Sequence, residues 1–193
     1  MSTSPVRVPA PEAVLAAERR AVQRSFAHSC DQATGRVLAV LAASVRTGGR
    51  VLELGTGVGV GTAWICSGLE GRGDVEVVTV ERDEALAGLV RSTDLPVTVV
   101  AGDAEALLPG LGAFDLVFAD AEGGKWTGLD LTVAALAPGG VLLVDDMDLE
   151  RYHRAEHLAA VAAVREALVS HPDLVTAELA VGTGLLVSTR RPA

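Results

Sequence analysis

The sequence has few cysteines and no long apolar run. Its 193 residues include two cysteines, Cys30 and Cys66, which are too few for a disulfide framework and lack the spacing of a metal site. No uninterrupted apolar stretch reaches the roughly 18 residues that a membrane span needs, and residues 1–11 lack the apolar segment of a signal peptide. We therefore expect a cytoplasmic protein with reduced thiols, no signal peptide and no membrane span.

Basic residues are also scarce. Lysine and arginine together number 16 against 25 aspartates and glutamates, so the formal net charge is −9. Nucleic-acid backbones and anionic membranes bind clustered basic side chains, so we expect neither as a partner and favour a small-molecule substrate. Lys125 is the single lysine. The presence of one lysine among fifteen arginines reflects either a compositional preference for arginine or a need at this position for a compact, deprotonatable ammonium.

Strand-like and helix-like segments alternate along the chain. With 49% hydrophobic residues the chain can bury one core, which predicts a single domain over residues 1–193, with disorder over 1–10 and a helical lid over 11–46. The fold class predicted by the alternation is α/β: a Rossmann-like, doubly wound sheet of seven strands, mostly parallel, with a C-terminal antiparallel hairpin and helices on both faces. Strands are predicted at 50–54, 75–80, 97–100, 114–119, 141–144, 174–180 and 185–189. Helices are predicted at 11–29 and 34–46, from about Gly59, Asp83, Ala104 and Lys125, and from the loop 146–154 to Ser170.

A glycine-rich turn follows the first predicted strand. Residues 51–61 read Val-Leu-Glu-Leu-Gly-Thr-Gly-Val-Gly-Val-Gly, and glycines at every second position let the backbone approach a ligand closely. The helix after the turn offers free N–H groups and the positive end of its dipole. A dinucleotide fingerprint G-x-G-x-x-G does not fit, because its last glycine would fall on Val60 or Thr62.

The turn and the acidic residue before it, Glu53, resemble the first motif of class I methyltransferases that depend on S-adenosyl-L-methionine (SAM). The resemblance implies that SAM is the cofactor. It also implies that the residues binding SAM here are Glu53, Gly55, Thr56, Gly57 and Gly59.

Two later acidic residues repeat the pattern in order. Glu81 ends the second predicted strand, just before Arg82, where a carboxylate can accept both ribose hydroxyls of an adenosyl group. The alternative is a solvated strand end. Asp103, followed by Ala104, comes after the third strand, where the family binds adenine with a carboxylate and a backbone N–H. Aspartate is equally favoured as a helix N-cap, and one residue can serve both purposes.

The segments around the fourth and fifth predicted strands indicate a particular group of methyltransferases. Residues 114–121 read Phe-Asp-Leu-Val-Phe-Ala-Asp-Ala, and residues 136–146 read Leu-Ala-Pro-Gly-Gly-Val-Leu-Leu-Val-Asp-Asp. Both segments, together with Ser29-Cys30 and Thr34-Gly35, resemble the small bacterial O-methyltransferases related to the catechol and caffeoyl-CoA enzymes. This resemblance implies O-methylation of a small hydroxylated molecule, with Asp120 leading from the cofactor to the acceptor.

The same resemblance implies a metal. The related enzymes hold a divalent cation with two aspartates and an asparagine beside a lysine base, and Asp120, Asp145 and Asp146 match those ligand positions. Mg²⁺ or another divalent cation would suit such oxygen ligands, with Asp120, Asp145 and Lys125 as catalytic residues. The sequence departs twice: Gly123 stands where the lysine is expected, two residues before Lys125, and Asp146 replaces the asparagine. Such a site could instead use a carboxylate as general base or attract a cationic amine.

Four further side chains are not assigned a role by these motifs. We expect Trp126 to line the acceptor pocket and Trp64 to lie in the core, while the role of Tyr152 is open. His153 is either a solvated residue at a helix start or a base.

The sequence is compatible with three other functions and leaves the oligomeric state to be inferred. An N-methyltransferase acting on an amine, an NAD(P)-dependent oxidoreductase and a non-catalytic cofactor-binding module are the alternatives, although no Tyr-x-x-x-Lys pair supports the oxidoreductase. Only the first 45 residues and the loop 146–157 can cover the pocket. We therefore expect a small pocket or one completed by a second subunit, and predict a homodimer.

Overall fold

One sheet organises the computed structural model, which describes residues 8–151 and 153–192. Its seven strands within that part of the chain are β1 (Arg50–Leu54), β2 (Glu76–Glu81), β3 (Thr98–Ala101), β4 (Phe114–Ala119), β5 (Leu136–Val144), β6 (Leu174–Leu179) and β7 (Leu185–Arg190). They lie in the order β3-β2-β1-β4-β5-β7-β6. The first five pair in parallel, whereas β7 runs antiparallel to both β5 and β6. This topology confirms the predicted fold class.

Helices cover both faces of the sheet. They are α1 (Glu12–Gln23), α2 (Gln32–Ala43), α3 (Val60–Gly68), α4 (Glu84–Arg91), α5 (Ala104–Leu111), α6 (Leu129–Ala134) and α7 (Ala155–Ser170), with a short 3₁₀ turn at Leu149–Arg151. Aspartate side chains begin three of them: Asp31, Asp83 and Asp103 each accept hydrogen bonds from the first free backbone N–H groups of α2, α4 and α5. In the described ranges, none of the helices has the length and apolarity required to cross a bilayer.

Successive side chains along each strand alternate between two buried layers, one on each face of the sheet. In β1, Val51 packs in the layer of α1, α2 and α3, while Leu52 and Leu54 pack in the layer of α5, α6 and α7. Because successive strand residues point to opposite faces, a strand buried on both sides reads as a continuous apolar run. β1 and β4 come close to this pattern, since most of their residues are apolar and buried, and both have the bounds predicted from sequence.

The segment after α1 differs from the prediction. We expected a helix to Ser29, but α1 ends at Gln23, and Ser25 has a left-handed φ of 51° that no helix continues through. The chain then crosses the carboxyl edge of the sheet, bringing Phe26 and His28 over the turn after β1. Helices α1 and α2 themselves pack against α3, so within the predicted lid it is residues 26–29 that lie at this edge, and closure over a ligand stays a prediction.

The predicted start of a helix at Lys125 is wrong. The helix α6 begins at Leu129, because Gly124 and Gly128 have left-handed φ angles of 87° and 64° that end regular structure between them. Two predictions fall on residues that the structure does not describe. These are the disorder expected for residues 1–7 of the segment 1–10, and the open role of Tyr152.

Candidate active site

The turn after β1 forms one wall of a cavity of about 590 Å³. Gly55 has a φ of 100°, and a Cβ there would lie 2.7 Å from the backbone oxygen of Asp120, so only glycine fits. Gly57 also has a left-handed φ, of 53°, and its N–H donates to Glu81. This cavity lies at the carboxyl ends of β1 and β4, where the strand order reverses and where open α/β sheets bind ligands.

Glu81 lines this cavity at the end of β2. Its Oε2 accepts the Gly57 N–H at 2.8 Å, and its Oε1 accepts the Asp83 N–H at 2.9 Å. A carboxylate has about four acceptor sites, so two backbone bonds fix its orientation and leave acceptor capacity toward the cavity. The neighbouring Arg82 has a side chain that is 77% exposed and lies 3.9 Å from Glu122.

Asp103 and Ala104 also line this cavity. The Asp103 carboxylate caps α5, accepting the N–H groups of Glu105 at 2.9 Å and Ala106 at 3.2 Å. Asp103 is therefore the N-cap of α5, and it also lies on the cavity wall.

Glu53, Thr56 and Gly59 shape the turn from beneath. The Glu53 carboxylate is 1% exposed and accepts hydroxyl hydrogen bonds from Thr62 at 2.5 Å and Thr79 at 2.6 Å. Burial raises its pKa to about 7, against the lowering effect of those two hydroxyls. Thr56 bonds Thr79, and Gly59 is the left-handed N-cap of α3. Glu53, Thr56 and Gly59 are not among the residues that line the 590 Å³ cavity; they support the turn that forms its wall, and their contact with a cofactor stays a prediction.

A second cavity, of about 410 Å³, joins the first. Four residues line both: His28, Asp120, Ala121 and Glu122. Asp120 follows β4, and its N–H donates to Leu54 O at 2.9 Å, so the register of β4 against β1 sets its position. A ligand in the first cavity and one in the second would therefore meet at Asp120.

Lys125 is buried among the acidic residues of the second cavity. Its side chain is 2% exposed, and its Nζ lies 2.8 Å from Asp146 Oδ2 and 3.8 Å from Asp120 Oδ1. Burial raises the pKa of Asp120 well above its usual range, and the nearby carboxylates add to the rise, while Lys125 opposes it.

Asp145 lies beside this group, at the end of β5. Its Oδ1 accepts the Asp146 N–H at 2.8 Å and the hydroxyl of Thr183. Burial raises the pKa of Asp145 to about 6, partly offset by the Thr183 hydrogen bond. Thr183 comes from the β6–β7 hairpin, so the C-terminal hairpin contributes to the site.

The residues present do not fit the divalent cation that the sequence resemblance implied. Within residues 8–151 and 153–192, no group of three or more His, Cys, Asp or Glu side chains is placed so that it could hold a metal ion. The Lys125 ammonium lies beside two of the three predicted ligands. The described residues therefore give no support to a metal centre of Asp120, Asp145 and Asp146, because the turn at 122–128 places the Lys125 ammonium against Asp146 and near Asp120.

Two aromatic rings wall the second cavity. Trp126 and His157 meet edge to face, with ring centroids 5.2 Å apart, and Lys125 Nζ lies 4.6 Å from the centre of the Trp126 ring. Trp126 lines the pocket as predicted, and Trp64 is buried in the core at 2% exposure. His153 is exposed and lies two residues before α7.

Some residues at the site were not predicted. Phe26 and His28 lie in a connection without a motif, and Thr183 comes from the hairpin turn, far from Asp145 in sequence. The glycines of residues 181–184 indicated the hairpin, but no local signal placed it beside β5.

Comparison with known proteins agrees with this geometry. A family model described as a methyltransferase domain matches residues 52–147. A Mycolicibacterium vanbaalenii protein whose name assigns it to the O-methyltransferases is 33% identical over 195 residues, covering 93% of this chain and 84% of its own length. The cofactor-bound structure of Rv0187 from MTB is 25% identical with a TM-score of 0.83, covering 97% of this chain and 94% of that one. The O-methyltransferase from Bacillus cereus in complex with S-adenosylhomocysteine (SAH) shares the fold, with 21% identity and a TM-score of 0.81, covering 96% of this chain and 94% of that one.

The sheet order, the glycine turn and the joined cavities define a class I methyltransferase. The chain belongs to the family of SAM-dependent O-methyltransferases. Membership of this family overturns the NAD(P)-dependent oxidoreductase alternative, in agreement with the failed dinucleotide fingerprint.

Proposed function

We propose that the chain binds SAM in the 590 Å³ cavity and transfers its methyl group to the hydroxyl oxygen of a small acceptor in the 410 Å³ cavity. The observation that carries the proposal is that Asp120 lines both cavities. Methyl transfer from a sulfonium is an in-line displacement, so the enzyme aligns the two reactants and excludes water, and alignment can supply ~7–11 kcal/mol of the barrier. Both volumes are in the range of small-ligand pockets.

The cofactor would be held by residues at the ends of four strands. Glu81 accepts hydrogen bonds from the ribose hydroxyls, Asp103 and the backbone at Ala104 bind the adenine, and Arg82 flanks the ribose. The backbone of Gly55 and Gly57 approaches the ligand closely. Glu53, Thr56 and Gly59 act on the cofactor through the turn that they support, and Asp120 faces the sulfonium.

In the reaction, Asp120 accepts the proton of the acceptor hydroxyl. The oxygen forms a bond to the methyl carbon as the carbon–sulfur bond breaks, and the electron pair of that bond stays on sulfur, giving SAH. Burial raises the pKa of Asp120, which makes its carboxylate a stronger base than an ordinary aspartate. Lys125 favours the ionised form, and Asp145, held by Thr183, positions Asp146 and through it Lys125.

Replacing the base tests this role. Asp120→Asn should lower kcat by about 10²- to 10⁴-fold, the usual contribution of general-base catalysis, with a much smaller change in SAH affinity. Wild-type kcat should fall as the pH drops through the raised pKa of Asp120, at a higher pH than an unperturbed aspartate would give, and the variant should lose this acidic limb. Asp130→Asn, on the exposed surface of α6, is the matched control. Equal losses in kcat and SAH affinity would reassign Asp120 to cofactor binding alone.

One observation favours a second candidate, N-methylation of an amine. Four carboxylates, of Asp120, Glu122, Asp145 and Asp146, line the acceptor cavity against one lysine, so a cationic amine would be attracted to it. A panel of hydroxylated molecules and amines, incubated with methyl-labelled SAM and followed by mass spectrometry, separates the candidates. We expect an O-methylated product; an N-methylated product would replace the proposal, and SAM binding without any product would indicate a non-catalytic module.

We also propose a cytoplasmic homodimer built from one domain per chain over residues 1–193. The dimer is supported by the exposed apolar side chains of Val22 on α1 and Val40 on α2, which are 81% and 70% exposed and which a second subunit would cover. The cytoplasmic location is supported by the two cysteines, which are both free thiols. Sedimentation equilibrium should give twice the mass of one chain, and a single-chain mass would contradict the dimer.

A further inference from the structure

We infer that the Lys125 ammonium takes the place of a divalent cation in this chain, so that methyl transfer proceeds without a metal. This inference rests on the proposed function and concerns how the acceptor site is charged. It follows from where the lysine lies and what holds it there.

The position of the ammonium carries the inference. Its Nζ contacts Asp146 at 2.8 Å and lies 3.8 Å from Asp120, two residues from two different strand ends. A lysine that is 2% exposed has its charge compensated by partners rather than by water. A divalent cation that took Asp146 Oδ2 as a ligand would have to displace the ammonium paired with that oxygen at 2.8 Å, so the two cations compete for the same carboxylate.

The backbone holds Lys125 in this position. The Gly124 N–H donates to Thr127 O at 2.7 Å, and the Thr132 hydroxyl donates to Gly124 O at 2.7 Å, which ties the turn to α6. Gly124 has a φ of 87°, and a Cβ there would lie 2.5 Å from the Leu54 side chain, so the turn is packed against the core. The Trp126 ring covers the ammonium from one side. Moving the lysine aside to admit a metal would therefore require the turn itself to change.

The ammonium also has enough donors to take part in the reaction. An ammonium supplies one positive charge and three N–H donors, which can hold two carboxylates while leaving a donor for the acceptor oxygen. In the proposed reaction the positive charge beside the acceptor stabilises the oxygen as its proton moves to Asp120. Lys125 in this role contacts the acceptor oxygen as well as positioning Asp120 and Asp146.

Titration with Mn²⁺ tests the inference without depending on turnover. In calorimetry, the wild-type chain should show no stoichiometric binding of Mn²⁺ at millimolar concentration, while Lys125→Met, which removes the positive charge beside the carboxylates, should bind Mn²⁺ at least tenfold more tightly. Lys125→Arg keeps the positive charge and should behave like the wild type. With an acceptor identified, wild-type kcat should be unchanged by EDTA.

Two results would overturn the inference. One is a wild-type chain that binds one Mn²⁺ tightly, or whose kcat falls in EDTA and returns with Mn²⁺. The other is a folded Lys125→Met variant, checked by circular dichroism, that gains no affinity for Mn²⁺. If that variant does not fold, the wild-type titration alone decides. Failure to find any methylated product would contradict the proposed function but would leave the Mn²⁺ result standing.

Discussion

Glu81 accepts two backbone hydrogen bonds, from Gly57 and from Asp83, that aim its carboxylate at the cofactor cavity. Glu81→Ala should weaken SAH binding by about 10- to 100-fold, because a charge-assisted hydrogen bond contributes about 1.5–3 kcal/mol. Calorimetry with SAH measures the change. Glu70→Ala, an exposed glutamate after α3, is the control and should bind SAH as the wild type does. An unchanged dissociation constant for Glu81→Ala would remove Glu81 from the cofactor site.

Glu53 makes stability depend on pH. Its pKa is about 7 in the folded chain, against 4.5 for an unperturbed glutamate, so between these values the unfolded chain ionises while the folded chain keeps the proton. Stability contributed by this group is complete below pH 4.5 and is lost as the pH rises to 7, by up to about 3 kcal/mol.

Glu53→Gln isolates this contribution, because an amide oxygen can still accept the hydroxyl hydrogen bonds of Thr62 and Thr79. Urea unfolding at about pH 5 and about pH 8, on either side of the raised pKa, should show similar stability at the lower pH and a more stable variant at the higher one. A variant that is no more stable at the higher pH would show that Glu53 titrates normally in the folded chain.

Residues that follow a strand end in motif order could be predicted from the sequence. Glu81, Asp103 and Asp120 reach the cavity because parallel strands bring their carboxyl ends to one edge. The partner of Asp145 could not be predicted, since Thr183 reaches it only through the antiparallel hairpin. The contacts of Lys125 with Asp146 and Asp120 could not be predicted either. They depend on the left-handed turn at Gly124, and that turn depends on packing against Leu54.

At the scale of elements, α2 and α3 pack so closely that glycine is required. A Cβ on Gly68, at the end of α3, would lie 2.1 Å from the backbone oxygen of Ala39 in α2. Gly68→Ala should therefore destabilise the fold by about 1–3 kcal/mol, since backbone cannot yield as a flexible side chain does.

The matched control is Gly88→Ala in α4, where a Cβ would meet nothing within 4 Å. Alanine there should stabilise the chain by about 0.4–1 kcal/mol, because it restricts the unfolded chain and suits a helix. Thermal or urea unfolding of both variants measures the pair. Equal effects of the two substitutions would contradict the close contact between α2 and α3.

The bounds of β1 and β4 could be predicted better than the end of α1 and the start of α6, while β5 begins at Leu136, five residues before its predicted start. Strands β1 and β4 are mostly apolar and buried on both faces, and a residue that breaks the apolar pattern, Gly55 or Asp120, follows the carboxyl end of each. The ends of α1 and the start of α6 depend instead on left-handed residues, Ser25, Gly124 and Gly128, whose conformation is decided by the neighbouring structure. Helical periodicity alone carries no signal for such a residue.

At the scale of the whole molecule, the fold places both cavities at one edge of the sheet. The reversal of strand order between β1 and β4 opens the crevice, β2 and β3 supply Glu81 and Asp103, and β5 with the C-terminal hairpin supplies the acceptor side. The two reactants are thereby aligned from opposite halves of the sheet, and Asp120 stands where they meet.

A crystal structure of the chain with SAH tests the central claim most directly. We predict the ribose hydroxyls on Glu81, the adenine beside Asp103 and Ala104, and the sulfur facing Asp120 at the opening to the second cavity. A nucleoside bound elsewhere, or a sulfur directed away from Asp120 and the second cavity, would contradict the account.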